Sequence, residues 1–217
     1  MKLVLLGAPG AGKGTQAAII AKEFNIPAIS TGHIIRNAIA DKTPVGIEAK
    51  GYIDRGELVP DSMVVEMVKE RIKNDDCKNG YILDGFPRTI SQAEIMEALP
   101  ISVDLVIEIC VDENIIVERL TGRRECKKCG ASYHVTNNPP KVSGVCDVCG
   151  DMLKRRDDDV PEIIKNRIKA YHELTEPLKN FYAERNLLIS ITGCHEVEDT
   201  SKAVLKAIRE WIGEASV

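Results

Sequence analysis

Three groups of residues in this chain are spaced for chemistry. The first is "GAPGAGKGT" at residues 7–15. It matches G-x-x-x-x-G-K-[ST] with one shift: Gly7, Gly12 and Lys13 hold the fixed places, Gly14 takes the usual hydroxyl position and Thr15 follows it. Glycines let successive N–H groups turn inward on phosphate oxygens, and a helix N-terminus adds favourable potential for an anion. A lysine ammonium there reaches the outer phosphates as a mobile point charge. The Thr15 hydroxyl suits a magnesium-side contact. A turn without function would not need an apolar strand before it and a helix after it, and this chain has both patterns.

The second group is Cys126, Cys129, Cys146 and Cys149, two C-x-x-C pairs separated by sixteen residues. That spacing suits a tetrahedral four-thiolate zinc site. Such a site is closed to water and substrate, and a dication on four thiolates is net anionic, so it would repel phosphate. Both points give it a structural role. The third group is "YILDGFPR", in which Asp84 ends an apolar run and Arg88 follows four residues later. A carboxylate at the carboxyl edge of a parallel sheet commonly holds magnesium or its waters, and ligands bind at that edge.

The elements that position these groups follow from periodicity. "KLVLLG", "YILDG", "DLVIEICV" and "LLISIT" read as buried strands, each followed by a helical pattern. The alternation predicts an α/β fold, a P-loop core whose parallel sheet is flanked by helices. Two segments break the rhythm. Residues 30–59 carry three short helical patterns and no strand, and residues 122–159 are rich in Gly, Pro, Asn and Cys. Both read as insertions on a core made of residues 1–29, 60–121 and 160–217. The long pattern beginning at "DDDVPEIIKNR" predicts a helix with Pro161 in its first turn, aspartates as its cap, and a kink at Pro177. The segment of about 38 residues around the cysteines lacks an obvious apolar core, and a unit that small needs a staple.

Composition narrows the function classes. The chain has 217 residues, 44% of them apolar, so a sizeable core is expected. A net charge of −4 and 4% aromatics argue against a protein that coats nucleic acid. No apolar run approaches the roughly 20 residues that span a membrane, and the N-terminal run is too short for a signal peptide. A soluble, cytoplasmic chain is expected, in which seven cysteines point to metal rather than disulfides. Cys77, Cys110 and Cys194 read as ordinary thiols.

Taken in order, "GAPGAGKGTQA", "ISTG", "GELVPD", "ILDGFPRT", "LTGRRECKKCG" and "KRRDDD" closely resemble adenylate kinase, in the longer bacterial form with a zinc-binding lid. The resemblance covers nearly the whole chain. "DGFPR" with "GRR" is far more specific than the phosphate loop alone. It implies reversible transfer of a phosphoryl group from Mg-ATP to AMP, giving two ADP. Residues 30–59 would then be a helical AMP-binding insertion and residues 122–159 a zinc-knuckle lid. Magnesium would act with ATP and zinc would be structural. Partners would be ATP, AMP and ADP, with no nucleic acid or membrane, and a monomer is expected.

By the same resemblance, Gly10, Ala11, Gly12, Lys13, Gly14, Thr15, Arg123, Ser132, Tyr133 and His195 meet ATP. Thr31, Gly32, Arg36, Glu57, Leu58, Val59, Gly85, Phe86, Pro87, Arg88, Gln92, Arg156 and Arg167 meet AMP. Lys13, Asp84, Arg88, Arg123, Arg156 and Arg167 form the catalytic set, with Arg36 and Arg88 on the AMP phosphate. Gln92 has the chemistry for adenine, since its amide donates and accepts at once. One departure stands out. "STGH" places His33 where the family has a carboxylate near the magnesium water shell, and a helix start is expected to keep His33 neutral near pH 7. Two other readings remain at this point: a kinase for UMP, CMP or GMP, and a zinc-ribbon binding protein.

Overall fold

The structure is a computed structural model and describes residues 1–99, 101–194 and 196–214. β1 (Lys2–Leu6) is buried along almost its whole length and runs through the phosphate-loop sequence into α1 (Lys13–Phe24). After β2 (Ala28–Ser30) come α2 (Thr31–Ala40) and α3 (Pro44–Arg55). α3 starts with proline in its first turn and a Thr43 hydroxyl accepting from the Gly46 N–H at 3.1 Å, and it stops at Gly56. α4 (Asp61–Ile72) leads to β3 (Tyr81–Asp84), α5 (Ile90–Ala98) and β4 (Leu105–Cys110). α6 (Glu113–Thr121) then gives way to β5 (Arg123–Cys126), β6 (Ser132–His134) and β7 (Leu153–Lys154). α7 (Pro161–Ala170), α8 (Leu178–Ala183), β8 (Leu188–Thr192) and α9 (Val197–Ile212) complete the chain.

The central sheet is parallel, in the order β2-β3-β1-β4-β8. Alternate residues of β1 enter opposite cores, as strand geometry requires. Leu3 and Leu5 pack with Ile20, Ile82, Ile107, Val204 and Ile208. Val4 and Leu6 pack with Leu83, Phe86, Met96 and Val106. Two covered faces explain why these strands read as continuous apolar runs. Among the described residues no helix is long and apolar enough to cross a membrane.

The predicted α/β core is present, with local differences. β2 is only three residues long, too short to show a period, and the sequence reading passed over it. The three helical patterns expected in residues 30–59 are α2 and α3, with α4 beginning at Asp61. The long helix is interrupted by a π-turn at Tyr171–Thr175, just ahead of Pro177. The aspartates expected to cap α7 do not: Val160 stands at the cap without a side-chain bond. Asp158 and Asp159 are taken by arginines instead.

Residues 122–159 hold a small antiparallel sheet, β6-β5-β7, over a miniature core of Cys126, Tyr133, Cys146 and Leu153. α3 ends against α7. A Cβ on Gly56 would lie 2.8 Å from the Ile163 carbonyl oxygen, and the Asn166 side-chain amide donates to the Arg55 carbonyl at 3.0 Å.

Candidate functional site

A cleft of about 980 Å³ opens at the carboxyl ends of β2, β3 and β1. Its floor is the 7–15 loop, one wall is α2 with the end of β3, and the roof is β5 and β6. Gly12 caps α1 with φ 100°, and a Cβ there would point into open space, so the glycine serves the backbone turn and the approach of a ligand. Lys13 Nζ donates to the Gly7 and Ala8 carbonyls at 2.7 and 2.9 Å. Burial lowers the Lys13 ammonium to about 7; Asp84 opposes this, while Arg88, Arg167 and Arg123 add to it. Asp84 sits beside the first turn of α1, where a Cβ on Gly14 would lie 3.4 Å from its Oδ2. One carboxylate and the half-buried Thr15 hydroxyl fit magnesium, which keeps several waters of its own.

Just past the end of β3, Thr31 Oγ1 donates to the Gly85 carbonyl at 2.9 Å and Arg88 Nε donates to the same oxygen at 2.8 Å. Gly85 has φ 82°, and a Cβ would meet Arg88 Nη2 at 2.8 Å, so this close approach needs glycine. The Arg88 N–H donates to Gln92 Oε1 at 2.7 Å, and Gln92 Nε2 donates to Asp61 Oδ1 at 2.7 Å. Gln92 is 1% exposed. Its amide therefore already donates and accepts within the protein, and only its second N–H and second lone pair remain for a base. Gly32, Leu58, Val59 and Pro87 line the cleft. Glu57 is exposed and pairs with Arg55 at 2.7 Å. The Phe86 ring is fully buried in the main core, while its neighbours Gly85, Pro87 and Arg88 line the cleft.

Five arginines converge above this floor, and each has a carboxylate or carbonyl that aims it. Arg123 donates through Nε to Asp159 at 2.8 Å, and Arg167 Nη1 donates to the same carboxylate at 2.9 Å and pairs with Asp158 at 3.0 Å. Arg36 Nη2 donates to Glu125 Oε1 at 2.7 Å, and Arg156 Nε donates to Glu125 Oε2. Burial and the neighbouring guanidiniums pull Arg88 and Arg123 down to about 10, so both remain cations at neutral pH. Burial works to raise Glu125 and Asp158, and the arginines overcome it, holding both below the usual carboxylate range.

The sequence reading found the arginines and missed the carboxylates. The acidic run in "KRRDDD" is the available signal for Asp158 and Asp159, but in sequence it has the look of a helix cap. Glu125 had no signal, since it lies between Arg124 and a metal-type cysteine. Arg119 was also missed; it lines the cleft and donates to the Cys194 carbonyl at 2.9 Å. Arg124 turns onto the Thr121 and Arg123 carbonyls, and Arg155 is exposed.

His33 faces the roof. A Cβ on Gly130 would lie 3.1 Å from its Nδ1, and its Nε2 lies 3.2 Å from the Asn37 amide. Its imidazole is lowered, so the expected neutral form holds, but burial is the leading cause, followed by Arg36. The helix start is served by Ser30, which accepts the His33 N–H at 3.4 Å. Ser132 lines the cleft. Tyr133 also borders it, yet its hydroxyl accepts the Asp147 N–H at 2.8 Å and lies 3.5 Å from Cys146 Sγ, so that end belongs to the cysteine knuckle. His195 lies outside the described residues.

The four Sγ atoms of Cys126, Cys129, Cys146 and Cys149 lie within 4.8 Å of one another. Two of the pairs are 3.4 and 3.5 Å apart. A tetrahedron with metal–sulfur bonds of about 2.3 Å has edges of about 3.8 Å, so the set fits zinc.

Comparison with known proteins agrees with this geometry. The family model described as adenylate kinase matches residues 5–187. An adenylate kinase from Caldicellulosiruptor bescii is 52% identical over 212 residues, covering 96% of this chain and 99% of that protein. An adenylate kinase from Carboxydothermus hydrogenoformans is 50% identical over 214 residues, covering 97% of this chain and all of that protein. One from Acetivibrio thermocellus is 50% identical over 212 residues, covering 96% and 98%. A phosphate loop, an arginine-crowded cleft and likeness along nearly the whole length agree: the chain belongs to the adenylate kinase family.

Proposed function

We propose that the chain transfers the terminal phosphoryl group of Mg-ATP to AMP, releasing two ADP. The carrying observation is that the phosphate loop and Arg36, Arg88, Arg123, Arg156 and Arg167 all line one cleft. An oxygen of the AMP phosphate forms the new bond to the γ-phosphorus as the bond from that phosphorus to the β-bridging oxygen breaks, and the electron pair stays with the departing ADP. The acceptor is already anionic, so no strong base is needed; alignment and charge cancellation carry the reaction.

In this reading Lys13 and the loop N–H groups of residues 10–15 grip the donor phosphates. Arg36 and Arg88 hold the acceptor phosphate, and Arg123, Arg156 and Arg167 neutralise the group in flight. Thr31, Gly85 and Gln92 border the acceptor base, and Ser132 the donor side. Asp84 and Thr15 would hold magnesium, which would supply charge neutralisation for the ATP phosphates. The four cysteines would hold zinc as a closed structural site that keeps residues 122–159 folded as a lid, while residues 30–59 carry the acceptor. Lid closure excludes water that would otherwise take the phosphoryl group. We read the chain as a cytoplasmic monomer.

A coupled assay for ADP, run with ATP and each of AMP, UMP, CMP and GMP, tests the reading. AMP should be the efficient acceptor. Faster turnover with a different acceptor would replace AMP, and no ADP with any acceptor would end the kinase reading.

A further inference from the structure

Glu125 is a carboxylate that the reaction does not call for. It is 4% exposed and lies on β5, whose alternation puts it on the same face as Arg123, toward the cleft. Its two oxygens are divided. Oε1 takes Arg36, 89 positions away on α2, and Oε2 takes Arg156. Among the described residues it is the one carboxylate ion-paired with either of these guanidiniums, and its bond to Arg36 is the one ion pair joining residues 30–59 to residues 122–159. Asp159 differs: it gathers Arg123 and Arg167 from the roof and its root, and ties nothing across the cleft.

We propose that Glu125 is a clasp that competes with the acceptor's phosphate for Arg36 and Arg156, and thereby sets both acceptor affinity and the resting position of the roof. The inference rests on the reading of those two arginines as phosphate ligands. A carboxylate presents two oxygens to guanidinium donors much as a phosphate does. A phosphate dianion arriving at Arg36 meets a buried negative charge already there, and repulsion at that range is strong in a partly desolvated cleft. One of the two anions must yield. Because Glu125 is carried by the roof and Arg36 by the wall, releasing the bond also frees the roof to shift.

The test uses the full-length, metal-containing protein and the isosteric Glu125→Gln, with Glu125→Ala alongside because it removes the same charge with different packing. Circular dichroism and zinc content establish that each is folded. Calorimetry of AMP alone and small-angle scattering without nucleotide are the two readouts. Each variant should bind AMP about fivefold more tightly, a coupling of ordinary size, and show a larger radius of gyration. Turnover at saturating ATP should show a lower KM for AMP with kcat moved less. Unchanged or weaker AMP binding would mean that Glu125 merely orients the two arginines, and would overturn the clasp. An unchanged radius would overturn it as well. Neither readout needs turnover, so an inactive wild type that binds AMP ends the proposed reaction without touching the clasp, whereas a wild type that does not bind AMP ends both.

Discussion

A lysine held by two backbone carbonyls under a ring of guanidiniums is poised to change its protonation. Lys13 sits near 7 because burial disfavours its charge. A triphosphate placed against it supplies the opposite charge and raises it again. The sign follows: at pH 8 the free site is mostly neutral and the complex is cationic, so ATP binding should take up a proton. Calorimetry in buffers of different ionisation enthalpy measures that uptake, and Lys13→Ala should abolish it. The same variant should keep its circular dichroism and lose about 10²- to 10³-fold in turnover, the usual weight of one preorganised charge on a transition state. A folded Lys13→Ala protein with near-normal turnover would remove Lys13 from the machinery. His33 poses a second question at this scale. A neutral imidazole attracts hydrated magnesium less than a carboxylate does, so His33→Asp should tighten the magnesium dependence of turnover. Superimposable magnesium titrations would show that this position has no part in it.

At the scale of elements, the cysteine knuckle carries the clearest prediction. Its core is only a few side chains, two of them metal-type cysteines. Metal held by these thiolates is therefore linked to the folding of the segment. Cys129→Ala, or chelation, should lower the unfolding temperature while activity survives well below it. Loss of turnover in a lid that remains folded would give the metal a chemical role. What was legible beforehand was what has a period or a motif: the apolar strands, the phosphate loop, the cysteine spacing and "DGFPR". Illegible features were set by tertiary partners. β2 forms because β3 offers an edge to three residues. Asp159 looks like a cap in sequence and serves two arginines in space. Glu125 has meaning only once α2 is brought beneath β5.

At the scale of the whole molecule, charge is distributed against the average. The chain carries −4, yet its cleft concentrates arginines and a lysine. Polyanionic substrates are then drawn by a local field and not by the net charge. Added salt shortens the reach of that field, from about 14 Å near 0.05 M to about 4 Å near 0.5 M. KM for both nucleotides should rise several-fold over this range while kcat moves less, because the buried arginines act at contact distance. KM values flat across the range would place the attraction entirely within the closed cleft.

The meeting of α3 and α7 at Gly56 has a mechanical consequence. α7 leaves the roof beside Asp159, carries Arg167 inward and passes the end of α3, where the flank offered to it is a glycine with no side chain to interlock. Among the described residues one hydrogen bond, from the Asn166 side-chain amide to the Arg55 carbonyl, spans the contact. The glycine lets α3 close onto α7 at a distance no side chain would allow: a Cβ there would press on the Ile163 carbonyl and on the Ile163 and Asn166 side chains, so any bulkier residue would wedge the two helices apart.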